Sequence, residues 1–212
     1  MRPAPPGDCA LCPRLAAFRA ANQGLFPDWH NAPVASFGAP AARLLIVGLA
    51  PGLRGANRTG RPFTGDHAGL ILYDNLLRFG FARGRYRADP GDGLELVDCR
   101  IANAVRCVPP QNRPLGGEVN RCRGFLAAEL QAPPAPAVVL SLGGIAHGSV
   151  LRALGLSPRR YPFAHGALYR TEGGPLLAPS YHCSRYNLNT GRLTPSMFEA
   201  VFKAVRAALD RA

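Results

Sequence analysis

The sequence predicts an α/β protein built on an open, mainly parallel sheet, and three observations carry that reading. Short apolar runs at 44–49 and 138–142, and an apolar stretch at 94–105 interrupted by Asp98 and Arg100, are bounded by glycine, proline or polar residues, as buried strands are. Stretches with helical spacing of their apolar residues lie between those runs. The segment 43–69, RLLIVGLAPGLRGANRTGRPFTGDHAG, passes from strand through a glycine-rich loop to a helix opening at Asp66. That order marks the C-terminal edge of an open α/β sheet, where such folds hold ligands. A length of 212 residues is enough for a sizeable core and favours one domain, 1–212.

Taken in order, Cys9 and Cys12 form a C-x-x-C near the N-terminus, and Pro13 opens a helix carrying Leu15, Ala16, Phe18 and Arg19. This arm packs onto the body. Residues 24–40 read as loop, with Trp29 and His30 as packing and surface residues. After the first strand, Gly48, Gly52, Gly55, Gly60 and Gly65 with Pro51 and Pro62 argue against regular structure and let backbone N–H groups approach a ligand. The helix from Asp66 to Phe79 presents Leu70, Ile71, Tyr73, Leu76 and Leu77, with Asp66 placed as its N-cap. Residues 81–93, with Arg83, Arg85 and Arg87, read as a surface loop that touches phosphate or stays solvated. A second strand ends near Asn103. Residues 109–117 form a proline-rich turn, and a helix from Glu118 to Gln131 carries Cys122. A third strand at Val138–Leu142 leads through Gly143 and Gly144 into a helix to Leu154. Two more strands, 167–171 and 175–179, precede Tyr181, His182, Cys183 and Ser184, and an amphipathic helix spans 195–211. There are no internal repeats.

The formal charge is +12, and Lys203 is the only lysine. Arginine forks match phosphate and stack on bases, which favours a nucleic-acid partner, although a host that writes Arg for Lys gives the same balance. The chain has no run of 18 apolar residues to span a bilayer and no apolar signal core, so the expectation is a soluble, intracellular protein without a membrane partner. In that reducing setting the six cysteines are thiols or metal ligands. Cys9, Cys12, Cys107 and Cys122 can close a site for zinc or an iron–sulfur cluster, or can be buried free thiols; Cys99 and Cys183 are left over.

Asp66 through its loop, Asn103 and His182 each follow a predicted strand, and in a parallel sheet those points share one edge. Any one of them alone is most often structural. The loop has neither a GKS or GKT phosphate cradle nor G-x-G-x-x-G, which argues against a nucleotide-binding module.

The runs GLAPGLRGANRTGRPFTGDHAG (48–69), NAVRCVPPQNRP (103–114) and SYHCSRYNLNTGRLT (180–194) closely resemble the uracil-DNA glycosylase superfamily, and within it the family 5 type. The resemblance covers nearly the whole chain. It implies a three-layer α/β/α fold with a central, mainly parallel sheet, excision of uracil and other deaminated bases from DNA, and a [4Fe-4S] cluster on Cys9, Cys12, Cys107 and Cys122. Apart from the resemblance, the expectation is a monomer working on DNA in the cytoplasm, at the nucleoid. Family 4 members carry a glutamate where this chain has Leu49, so the usual water-activating carboxylate is absent and Asp66 is the nearest replacement. The third motif ordinarily reads His-Pro-Ser; here Cys183 replaces the proline.

A base must leave the helix to be cut. Gly48, Ala50 and Gly52 line its site, Phe63 supplies a stacking face, and the Asn103 amide donates to O4 and accepts from N3–H. His182 stabilises the departing anion, and Asp66 either stabilises the sugar cation or orients water, or is simply a helix cap. Arg185, Tyr186, Asn187 and Leu188 form a loop suited to wedge the emptied stack, with Arg54, Arg58 and Arg192 as further phosphate contacts or solvated surface. The cluster is expected to be structural and remote from the chemical edge. The competing reading is an iron–sulfur or zinc nucleic-acid-binding or redox protein without glycosylase activity.

Overall fold

The computed structural model describes residues 4–211. Pro13 at the first helical turn starts α1 (Pro13–Leu25) directly after Cys12. The apolar run becomes β1 (Leu44–Gly48), every residue of it buried. A one-turn helix α2 (Ala56–Thr59) follows, then α3 (His67–Arg78), a short hairpin of β2 (Ala82–Arg83) and β3 (Glu95–Leu96), and β4 (Cys99–Asn103). Next come α4 (Gly116–Gln131), β5 (Val138–Leu142), α5 (Gly144–Ala153), β6 (Leu176–Ser180), a short α6 (Arg185–Asn189) and α7 (Pro195–Leu209).

The main sheet runs β4-β1-β5-β6 with all three pairings parallel. Because successive residues of a strand point to opposite faces, β1 divides its side chains between two cores. Leu44 and Ile46 join Leu72, Tyr73 and Leu76 of α3 and Phe198, Val201, Phe202 and Val205 of α7. Leu45 and Val47 face Leu126 and Leu130 of α4 and Val150 and Leu151 of α5. The result is the three-layer α/β/α arrangement. The chain steps from β1 to one neighbour, β4, and later to the other, β5, so the strand order reverses at β1 and opens a crevice beyond the strand C-termini. No helix among the described residues is long and apolar enough to cross a membrane.

Three expectations change. The glycine-rich loop is not wholly irregular: Gly55 and Gly60 bracket the four residues of α2, and Gly60 closes it in the left-handed region at φ 76°. Residues 167–171 make only an isolated bridge, Tyr169 to Leu177, because the position that would next face Ala167 is Pro179, which has no N–H to donate. The 185–188 loop is the helix α6, capped by Ser184, whose hydroxyl accepts from Asn187 N.

Candidate active site

The predicted edge carries a cavity of about 370 Å³. Leu49 to Gly52 after β1, Asn103 at the end of β4, Phe63 and Asp66 from the glycine-rich loop, and His182 after β6 all line it. Its size suits a small organic ligand, and its walls mix apolar surface with a few polar groups.

Parallel register sets Gly48 beside Asn103. Gly48 does not itself line the cavity, but a Cβ on it would sit 2.5 Å from Asn103 Oδ1 and 2.7 Å from the Phe63 ring, so these two cavity side chains need glycine at 48 for closeness rather than for a turn. Phe63 is 7% exposed and has φ +52°, an unusual conformation for a bulky residue. Its ring lies 5.8 Å from that of His182 at an interplanar angle of 27°. The two rings and the Asn103 amide border one space.

The His182 Nδ1 is buried without a hydrogen-bond partner among the described residues, while the residue's carbonyl accepts from Asn187 Nδ2 at 2.8 Å. Burial lowers the imidazole pKa from its ordinary value, and the Asp66 carboxylate only partly opposes this. The ring is therefore neutral at pH 7. Asp66 is the N-cap of α3, its Oδ1 accepting from Gly69 N at 2.9 Å. Its Oδ2 faces the loop at Gly52 and Gly55, where a Cβ on Gly55 would come within 2.5 Å of it. The two oxygens therefore have different surroundings, and the cap leaves one oxygen for the cavity.

Cys183, in the place of the motif proline, is fully buried, and its thiol donates to Ala68 O at 3.4 Å. It pins the third motif to α3 by packing and a weak hydrogen bond instead of by a rigid ring.

Arg185 lies at the cavity mouth, and Tyr186 is 72% exposed. Arg54 and Arg58 are exposed, with Arg58 Nε donating to Arg54 O. Arg192 stacks its guanidinium 4.9 Å from the Tyr181 ring centre. Asn187 departs from the outward role expected of it: its amide turns inward to the His182 carbonyl, where it braces the catalytic candidate. Asn112 also lines the cavity, from a turn where Gln111 and Asn112 both have positive φ. The proline-rich run around it was the available signal, since Asn tolerates that region better than most residues. Residues 81–93 are not simply solvated surface, because Tyr86 and Asp92 point back into the protein.

Cys9, Cys12, Cys107 and Cys122 line one small pocket among α1, α4 and the segment after β4. Arg19 donates to Cys107 Sγ at 2.8 Å and to Cys9 O at 2.9 Å, and Arg106 N donates to Cys122 Sγ. Burial pushes the Cys12 and Cys107 thiols up and Cys122 up to about 11. Among the described residues no three His, Cys, Asp or Glu side chains are gathered to hold a metal ion. The pocket is not remote from the sheet edge: Ala50, which lines the cavity, packs against this cysteine cluster, and Val105 N donates to Leu49 O. Adjacent strand ends leave no room for the expected separation.

The sequence pattern of the uracil DNA glycosylase superfamily matches residues 35–206. The chain is 44% identical over 207 residues to the type-5 uracil-DNA glycosylase of Thermus thermophilus, covering 94% of each chain. It is 40% identical to that of Pyrobaculum aerophilum, covering 96% of this chain and 89% of the relative. The type-4 uracil-DNA glycosylase of Archaeoglobus fulgidus is 31% identical over 140 residues, 66% of this chain and 62% of the relative.

Proposed function

The chain belongs to the uracil-DNA glycosylase superfamily, and from that premise we propose that it is a DNA-repair glycosylase, a hydrolase that flips uracil and other deaminated bases out of DNA, cuts the N-glycosidic bond and leaves an abasic site. The observation that carries this reading is the convergence of an aromatic face, an amide, a neutral imidazole and a half-free carboxylate on one cavity of about 370 Å³.

The flipped base stacks on Phe63, and the Asn103 amide donates to O4 and accepts from N3–H. Gly48, Ala50 and Gly52 give the base close access to backbone. As the bond breaks, negative charge grows on the base and positive charge on the sugar. His182, a half-buried ring whose desolvation lowers its pKa and favours the neutral form, donates a hydrogen bond at O2. The Asp66 oxygen not used as a cap stabilises the sugar cation or orients the attacking water. The two side chains divide the separating charges, and both act mainly in the transition state. Arg185, Arg54, Arg58 and Arg192 meet phosphates, and the exposed Tyr186 fills the emptied stack.

The cysteine pocket fits a [4Fe-4S] cluster held by Cys9, Cys12, Cys107 and Cys122. Four thiols line it without closing on one point, and an arginine and a backbone N–H are directed at sulfur, where they would offset the charge of thiolates. Such a cluster supplies cross-linking of the N-terminal arm to the body and no chemistry on the base. The chain then works as a single domain and a monomer on DNA, in the cytoplasm at the nucleoid.

The direct test incubates the protein with duplex and single-stranded oligonucleotides bearing one uracil, followed by alkaline cleavage of abasic sites. Strand breaks at the uracil position support the reading. Binding without excision would return the chain to the class of cluster-bearing DNA-binding proteins.

A further inference from the structure

Phe63 is a bulky cavity residue held at positive φ, a conformation that its side chain disfavours far more than the Asn112 side chain does. A positive φ on a bulky residue costs roughly 1–3 kcal/mol and persists only where the surroundings over-determine it. The surroundings do so here. Tyr86 Oη donates to Phe63 O at 3.1 Å, and Tyr73 Oη donates to Pro62 O at 2.8 Å. Thr59 Oγ1 donates to Thr64 O at 3.0 Å. The three consecutive carbonyls around the strained residue are thus each taken by a side-chain hydroxyl. On the other side, a Cβ on Gly69 would fall 1.8 Å from Phe63 O, so α3 can approach the strained carbonyl only at a glycine.

Behind this row lies Arg61, 5% exposed. Its Nε donates to Thr64 Oγ1 at 2.8 Å, and both terminal nitrogens donate to the Asp92 carboxylate at 2.8 Å. The guanidinium also lies over the rings of Phe37, Tyr73 and Tyr86, with centroid distances of 5.3 to 5.7 Å, and the two tyrosines stack on each other at 4.4 Å. Asp92 accepts in addition from Arg87 N and Leu94 N, and its side chain is wholly buried, so the residues joining β2 to β3 are tied down at the same point. A fork-on-carboxylate pair with its remaining acceptor sites filled is the arrangement in which a buried ion pair positions rather than merely survives.

The geometry points to Tyr86, Arg61 and Asp92 as positioning residues that hold Phe63 in its left-handed conformation and so preset the ring on which the base stacks. This rests on the glycosylase reading above. None of the three lines the cavity, and each acts through Phe63. The β2–β3 connection is then the back plate of the base platform.

The test uses the whole protein, with Tyr86→Phe as the main variant because it keeps the stack and deletes only the hydroxyl. Single-turnover excision of uracil should fall about tenfold at saturating enzyme, with affinity for undamaged duplex unchanged. Inhibition by free uracil, which needs the platform but no DNA, should weaken by a similar factor. Asp92→Asn should move both quantities in the same direction. The decisive measurement is a double-mutant cycle with Phe63→Leu. If Tyr86 acts through Phe63, adding Tyr86→Phe to Phe63→Leu costs little further activity. Independent, multiplying losses would overturn the proposal, as would Tyr86→Phe with wild-type excision and uracil inhibition. A wild-type protein that leaves uracil-DNA intact fails the glycosylase reading itself, a result distinct from either of these.

Discussion

Replacing Asp66 by asparagine separates the two jobs the structure assigns to that carboxylate. Oδ1 caps α3 through Gly69 N, and asparagine caps a helix as well as aspartate does, so this hydrogen bond survives. What disappears is the negative charge at the helix N-terminus, worth about 0.3–1 kcal/mol. For a chain of this length that lowers Tm by no more than about 4 °C. If the other oxygen stabilises charge in the transition state, its loss should cost ~10²-fold in rate, or about 2.7 kcal/mol, several times the stability effect. Single-turnover excision with enzyme in excess, read by alkaline cleavage, gives the first quantity. Scanning calorimetry gives the second, and a binding titration on uracil-DNA should show little change. Asp66→Ala supplies the contrast: it removes the cap as well and should cost about 1 kcal/mol more in stability. Wild-type excision by Asp66→Asn, with only Asp66→Ala destabilised, would refute the catalytic assignment and leave a helix cap.

Gly48→Ala puts a methyl 2.5 Å from Asn103 Oδ1 and 2.7 Å from the Phe63 ring, so it should lower stability by about 1–3 kcal/mol and uracil excision by more than that stability loss explains; normal activity would show that these two side chains yield. Burial holds the His182 pKa below its ordinary value of about 6.5, so its ring resonance in NMR should titrate with a midpoint below that value. The unfolded chain binds this proton more readily, so stability should be full above about pH 6.5 and decline as pH falls towards the folded midpoint; a midpoint above 6.5 contradicts the assignment. His147 and His165 are lowered by burial too and add to the same decline, so the His182 share is read from His182→Ala. Purified protein should show broad visible absorption from iron, and Cys107→Ser should bleach it, lower Tm and, through Ala50, disturb the cavity; a colourless, active protein with stoichiometric zinc would exclude the iron assignment. Arg185→Ala should reduce the salt slope of DNA binding by about one unit without altering base choice, whereas an unchanged slope places that arginine outside the phosphate contacts.

Much of this molecule is legible in the chain because the governing interactions are local. The apolar runs at 44–48 and, broken only by Ser141, at 138–142 dictate strands buried on both faces, and β1 divides its alternate residues between two cores as that pattern requires. The Asp66 cap, Pro13 at a helix start and Thr194 before Pro195 each depend on neighbours within about three residues. Asp66, Asn103 and His182 could be grouped from sequence because a parallel sheet sends every strand's C-terminal end to one edge. What the sequence could not disclose depends on partners distant in the chain. Asn187 turns to a carbonyl five residues back instead of to solvent, because a short helix forms where a loop was expected. Ala50 touches the cysteine pocket because β1 and β4 are paired, 55 residues apart at Gly48 and Asn103. Phe63 takes a conformation that no local propensity favours, since hydroxyls from Tyr73 and Tyr86 and the Arg61–Asp92 pair, in contacts that span 11 to 31 positions, hold its segment in place. Propensity and periodicity describe how a segment presents its faces; a strained residue is decided by the sum of long-range contacts that outweigh its local cost, and that sum exists only in the folded chain.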